Sequence, residues 1–242
     1  MGATSGLGRA CAEDFISRGY KVGVCGRRTE ALEAIRAIAP DRVFAATIDI
    51  TQTDADTQLL ALIEQMGGVD VYFHVSGIGK NNIPLDPSIE LNTVRVNCEG
   101  FCRMVGCAYR YFRDNGVKGA QIAVVSSIAG TKGLGAAPAY SATKRMQNCY
   151  IQSLAQQCAI NKADITFTDI RPGFVATPLL DTDGHKYPML MQTPYAAKRI
   201  VRAIIKRRRV AVIDWRYAIL TSAWYCIPRW LWERLPIKAS KK

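Results

Sequence analysis

Tyr140 and Lys144 stand four residues apart, and Ser127 precedes the tyrosine by thirteen. Val124 and Val125 end a short apolar run that reads as a buried strand, and Ser127 sits where that strand stops. Pro138 can open a helix at its first turn, which puts Tyr140 and Lys144 one turn apart on one face. A phenol with an ordinary pKa of about 10 is a poor acid at neutral pH. A fixed cation one turn away favours the phenolate and lowers that pKa. The tyrosine can then give a proton to a carbonyl oxygen or take one from an alcohol. A serine hydroxyl beside it can polarise the same oxygen.

Such a trio needs a scaffold that presents a strand end and a helix start side by side. The chain supplies it by alternation. A helix is predicted from Gly6 to about Ser17, then a strand Lys21–Cys25 and a helix from Thr29 to Ile38. A strand Val43–Ile48, a helix Asp54–Met66 and a strand Val69–Val75 follow. One long helix is predicted from Ser88 to Asp114, then the strand Gln121–Ser126, the Tyr140 helix to about Ile160, and a strand Asp164–Ile170. Short apolar strands alternating with helices predict an α/β protein: a doubly wound, Rossmann-like parallel sheet in three α/β/α layers. Ligands of such sheets bind at the carboxyl ends of the strands. Gly2–Gly8, Arg27, Asp49, Gly77, Ser127 and Pro172–Thr177 all fall at those ends.

Gly2-Ala3-Thr4-Ser5-Gly6-Leu7-Gly8 can bring backbone close to a ligand and turn into a helix whose free N–H groups face a pyrophosphate. In a dinucleotide fold the strand ending at Cys25 meets the adenosine ribose. No acid follows it there; Gly26-Arg27-Arg28 does, and arginines suit a 2′-phosphate through forked, charge-assisted contacts. The cofactor expected is NADP(H).

Composition bounds the rest. At 242 residues and 49% hydrophobic, the chain suits one domain with a full core. Eight cysteines include no Cys-x-x-Cys pair and there are two histidines, so no metal site is expected and the cysteines read as small buried hydrophobes of a reducing compartment. His74 reads as structural. No secretory signal stands at the N-terminus and no stretch suits a membrane span, so a cytoplasmic protein is expected. Residues 1–197 hold 19 Lys+Arg against 18 Asp+Glu, whereas residues 198–242 hold 13 against 2, a net of +11. The catalytic domain is accordingly placed at 1–213 and a basic extension at 214–242, which holds all four tryptophans.

The glycine turn, the Ser–Tyr–Lys trio, Asn97 in Val96-Asn97-Cys98-Glu99-Gly100, and Pro172-Gly173 followed by Thr177 together resemble the short-chain dehydrogenase/reductase family. The likeness runs from Gly2 to about Ile213, with Met1 where the family has the threonine of Thr-Gly-x-x-x-Gly-x-Gly. The resemblance implies a hydride transfer between the cofactor and a ketone or secondary alcohol. Tyr140 would be the acid/base, Lys144 its electrostatic partner, Ser127 the holder of the substrate oxygen, and Asn97 the support of a water relaying protons to Lys144. It implies a cofactor site built from Gly2, Thr4, Ser5, Gly6, Leu7 and Gly8, from Arg27, Arg28, Asp49 and Ile50, from Gly77, Tyr140 and Lys144, and from Pro172, Gly173, Val175 and Thr177. A homodimer or homotetramer is also implied. Two departures stand out. The family's Asn-Asn-Ala-Gly is His74-Val75-Ser76-Gly77 here, and no strand precedes the glycine turn. The first central strand is therefore missing from this reading, and the expectation is that the natural chain starts upstream.

The connection Phe174–Met191, with its leucines, methionines and Tyr187, is a candidate lid over an apolar, lipid- or steroid-like substrate. Rival readings are a cofactor-sensing binding protein on the same fold and a nucleic-acid binder using Lys206-Arg207-Arg208-Arg209, the latter set aside because no nucleic-acid module is visible. For the tail, Trp215, Trp224, Trp230 and Trp232 interleaved with Arg216, Arg229, Arg234 and Lys238 leave two alternatives open: contact with an anionic membrane surface, or packing over the substrate pocket or a partner subunit.

Overall fold

The computed structural model describes residues 1–180 and 187–237. Gly184 of the candidate lid and Lys238 of the tail lie outside them. Helix α1 is Gly6–Ser17, and strands β1 (Val22–Gly26) and β2 (Val43–Thr47) flank α2 (Thr29–Arg36). Helix α3 (Ala55–Gln65) leads to β3 (Val71–His74), and α4 (Pro87–Val94) runs through a π-helical turn at Arg95–Gly100 into α5 (Phe101–Asp114). Strand β4 (Ala120–Val125), helix α6 (Pro138–Asn161), strand β5 (Ile165–Pro172), helix α7 (Thr193–Ile205) and strand β6 (Val210–Ile213) follow, then α8 (Trp215–Cys226) and a short α9 (Arg229–Trp232).

All strand pairs are parallel: β1 with β2, and β3-β4-β5-β6 in that order. β4 is buried along its whole length, as the apolar run Ile122–Val125 requires of a strand covered on both faces, and the buried Gln121 amide is satisfied by Thr168 Oγ1 and the Ile204 carbonyl. Ile122 and Val124 face a core shared with α3, α5 and α6, while Ala123 and Val125 face one shared with α7 and α8. Helices α1 and α2 cover β1. The three-layer expectation is borne out.

The two ladders meet through Met1–Ala3. The Met1 amino group donates to the Phe73 carbonyl at 2.8 Å, and Val75 N–H donates to the Met1 carbonyl at 2.9 Å. On the other side the N–H groups of Gly2 and Ala3 donate to the Cys25 carbonyl at 2.8 and 3.1 Å. Where the doubly wound fold has a full central strand, these three residues join β1 to β3.

Some boundaries differ from the sequence reading. The helix expected from Ser88 to Asp114 starts one residue earlier, because Asp86 caps it through Ser88 N–H at 2.8 Å and Pro87 fills its first turn. It also widens into the π turn, which the apolar periodicity does not reveal. The strand expected over Val69–Val75 is only Val71–His74. Helix α2 stops at Arg36, short of Ile38. Helix α6 ends at Asn161, and Lys162, capping it, takes the left-handed conformation at φ 52°.

Candidate active site

Four local devices bring the predicted catalytic side chains together at the carboxyl edge of β3, β4 and β5. Ser127 follows β4 in extended backbone and caps a single 3-10 turn at Ile128–Gly130, its hydroxyl accepting from Ala129 N–H at 3.0 Å. Helix α6 opens at Pro138. Its first turn has no cap from its own chain neighbour, and Glu90 of α4 accepts from Ala139 N–H at 3.0 Å instead. That bond fixes the start of the helix carrying Tyr140. Asn97 sits in the π turn and staples the loop after β3 to the helices. Its Oδ1 accepts from Ile78 N–H at 2.9 Å, and its Nδ2 donates to the Ile78 carbonyl at 2.7 Å and to Thr143 Oγ1 at 3.1 Å. Gly79 then lies flat against the tyrosine: a Cβ there would stand 2.5 Å from Tyr140 Cδ2.

Lys144 is buried, and its Nζ donates to the Val125 carbonyl and to Gln147 Oε1, both at 3.1 Å. Burial pulls its ammonium down to about 8, against the opposing pull of Asp169 and Cys98. Asp169 is itself buried and held by Ser126 at 2.5 Å, by Asn148 at 3.0 Å and by Arg171 at 2.6 Å. Burial raises the Tyr140 phenol above its ordinary value, and a hydrogen bond from Ser127 opposes that rise. The sequence reading has Lys144 lowering the Tyr140 pKa. In this arrangement Nζ is bonded to Val125 and Gln147 and lies 5.8 Å from the Tyr140 ring centroid, so burial decides the direction.

The residues read as a cofactor cradle also converge. Gly2 has φ +89°, and a Cβ on it would stand 2.7 Å from Ser76 N, so the first turn tolerates no side chain. Ser5 precedes α1 without a side-chain cap, leaving the N–H groups around Gly6, Leu7 and Gly8 at the mouth of the helix for an anion. Thr177 packs against Gly6, so the segment after β5 closes onto the glycine turn. Pro172 ends β5, Gly173 rests on the Tyr217 ring, and Val175 bridges to Met191. Gly77 faces Lys144, with a notional Cβ 3.4 Å from Nζ.

Arg27 and Arg28 are exposed just past β1, and Arg28 donates to Thr4 Oγ1 at 3.0 Å. Asp49 follows β2. Burial pulls its carboxyl up, but the Thr51 N–H and hydroxyl, with Arg27 and Arg95 nearby, hold it below the ordinary carboxylate range. Ile50 beside it is buried against Gly100. A tight turn that admits no side chain at Gly2, an open helix end and two exposed arginines just past β1 fit a dinucleotide.

Sequence reasoning missed Glu90, Gln147 and Tyr217. Gln147 is legible in principle, because Tyr140, Lys144, Gln147, Ile151 and Leu154 recur at intervals of four and three on one helix face. Tyr217 is fully buried; its hydroxyl accepts from Phe174 N–H at 3.0 Å and donates to the Pro188 carbonyl at 2.9 Å. Trp232 Nε1 donates to the Gly133 carbonyl at 2.7 Å, in the loop between Ser127 and Tyr140. His74, read as structural, pairs with the Tyr72 hydroxyl at 2.9 Å, and burial first, then the cations of Met1 and Lys144, depress its pKa strongly.

Comparison with known proteins gives a consistent result. The model of the short chain dehydrogenase family matches residues 1–188. An uncharacterized oxidoreductase of Myxococcus xanthus is 29% identical over 238 residues, covering 96% of this chain and 92% of its own. An uncharacterized oxidoreductase of Listeria monocytogenes is 31% identical, with 75% of each chain aligned. Among solved structures, a short chain dehydrogenase from Burkholderia cenocepacia in complex with NADP superposes with a TM-score of 0.81 at 20% identity, over 98% of this chain and 96% of that one. The 3-ketoacyl-(acyl-carrier-protein) reductase of Brucella melitensis, complexed with NADH, gives 0.73 at 25% identity, over 87% and 93%.

Proposed function

The chain belongs to the short-chain dehydrogenase/reductase family of oxidoreductases, and on that premise we propose that it interconverts a ketone and a secondary alcohol with NADP(H). The observation that carries this reading is the meeting of Ser127, Tyr140, Lys144 and the Asn97 staple beside the glycine turn. Gly2, Thr4, Ser5, Gly6, Leu7, Gly8, Asp49, Ile50, Gly77, Tyr140, Lys144, Pro172, Gly173, Val175 and Thr177 would hold the cofactor, with Arg27 and Arg28 on its 2′-phosphate. The chemistry a cofactor bound there would supply is a hydride for the carbonyl carbon. Ser127 steadies the carbonyl oxygen. Tyr140 gives that oxygen its proton and is left as phenolate, which the Lys144 ammonium stabilises. In the alcohol-to-ketone direction the same tyrosine takes the proton back.

NADP(H) over NAD(H) is supported by the two arginines and by NADP in the Burkholderia cenocepacia neighbour, while the Brucella melitensis neighbour carries NADH. A substrate with apolar bulk is supported by an open cleft of about 760 Å³ in which Ile78, Ile89, Pro178 and Leu179 stand beside the polar Lys80, Ser88, Asn92 and Thr93, with Gly79, packed on Tyr140, in its wall. Exposed Leu91, Val94 and Ile160 on α4 and α6 support a homo-oligomer. The test is a panel of apolar ketones and alcohols assayed with NADPH/NADP and NADH/NAD in parallel. Turnover with NADPH at least tenfold more efficient than with NADH, and loss of that preference in Arg27→Ala, is expected. Equal use of both cofactors refutes the NADP assignment, and no turnover of any carbonyl refutes the reaction.

A further inference from the structure

We propose that Gln147 is a positioning residue that ties the Lys144 ammonium to the Asn97 carbonyl through its side-chain amide and so keeps the lysine aimed at the site. The inference rests on the reading of Lys144 above. Gln147 is fully buried in the middle of α6. Its Oε1 accepts from Lys144 Nζ at 3.1 Å, and its Nε2 donates to the backbone carbonyl of Asn97 at 2.9 Å. That carbonyl lies in the π turn, where the wider helix lets a side chain from the neighbouring helix reach the backbone. With Val125 taking a second N–H of the ammonium, two of its three donors are directed into protein and the third remains for the side facing Gly77.

The resemblance places a proton-relaying water along this same line from Lys144 to Asn97. A primary amide holds two groups in place, but it neither gains nor loses a proton near neutral pH. Gln147 therefore holds the ammonium and the π-turn carbonyl in place without itself passing a proton. The charged and titratable groups around Nζ are Tyr140 on its own helix, Cys98 in the π turn, His74 on β3 and Asp169 on β5. None of them replaces the Gln147 acceptor at hydrogen-bond distance.

The test compares wild type with Gln147→Leu, which keeps the bulk and removes both bonds, and Gln147→Glu, which keeps the acceptor and adds charge. Lys144 is titrated directly by NMR of protein labelled at lysine Cε, its signal assigned by its loss in Lys144→Arg. Gln147→Leu is expected to lower the Lys144 midpoint by about one pH unit or more, and Gln147→Glu to raise it. In the reductase assay the basic limb of the kcat/KM profile is expected to move in the same two directions, while the KM for NADPH changes less than threefold. An unchanged Lys144 midpoint in both variants overturns the proposal. If Gln147→Leu does not fold, Gln147→Glu decides by itself. The titration needs no turnover, so failure of the reductase reading and failure of this inference give different results.

Discussion

A lysine that must stay charged to do its work has been buried until its pKa is about 8. Burial disfavours the ammonium, so the folded protein releases the proton at lower pH than the unfolded chain does. The sign for stability follows: the cost of holding this cation in the fold is present below about pH 8 and is relieved as pH rises toward the ordinary lysine value of 10.5. The sign for catalysis is the opposite. Below the midpoint the charged lysine supports the Tyr140 phenolate; above it the support is lost. The reductive kcat/KM is therefore expected to fall above about pH 8, which a pH–rate profile of the free enzyme measures. A flat profile to pH 10 contradicts it. The Ser–Tyr–Lys trio was legible in the sequence because each member is set by a local rule, a strand end and a four-residue helical step. The direction of the tyrosine shift was not, because it depends on burial among residues far apart in the chain. Gln147 stayed hidden for the same reason: its partner carbonyl lies fifty residues away on a turn of unusual pitch.

At the scale of elements, the site is held by contacts between loops and helix starts. Gly79 packs on the Tyr140 ring, and no side chain fits between them. Gly79→Ala should push the ring or the loop by part of an ångström. A displacement of about 1 Å in a catalytic group can cost about a hundredfold in rate, so kcat is expected to fall by about ten- to a hundredfold. Thermal melting should change little, because the loop is partly exposed. Full activity in Gly79→Ala would show that the loop does not set the tyrosine's position. The parallel sheet was legible from alternation, and its class is borne out. The joint at Met1–Ala3 was not: the sequence shows no strand before the glycine turn, and only the hydrogen bonds to Phe73, Val75 and Cys25 reveal how three residues join β1 to β3.

Over the whole molecule, the C-terminal helices and the basic run fall on different edges. Lys206–Arg209 precede β6 at the amino edge of the sheet, where Arg207 donates to the Gly119 carbonyl. Helices α8 and α9 lie at the carboxyl edge, where residues 214–237 carry three arginines against two acids. Trp215 and Trp230 are exposed, at 66% and 59%, but Trp224 and Trp232 meet edge to face at 5.2 Å and Lys132 donates to the Ile227 carbonyl at 2.8 Å. No helix among the described residues is long and apolar enough to cross a membrane. Tyr217 ties α8 to the segment after β5, and its removal leaves a ring-sized hole against Gly173. Tyr217→Ala is expected to cost about 3–5 kcal/mol, the range for large aromatic truncations, measured by urea denaturation. A loss below about 1 kcal/mol would mean that α8 is not part of the cooperative core.

The central claim is that Tyr140 moves the proton in a carbonyl reduction. Tyr140→Phe keeps the ring against Gly79 and removes only the hydroxyl. NADPH binding, followed by quenching of protein fluorescence, should stay within about threefold of wild type, while kcat on the best ketone should fall by about 10²–10⁴. Turnover within a few-fold of wild type in a variant that still binds NADPH would contradict the account.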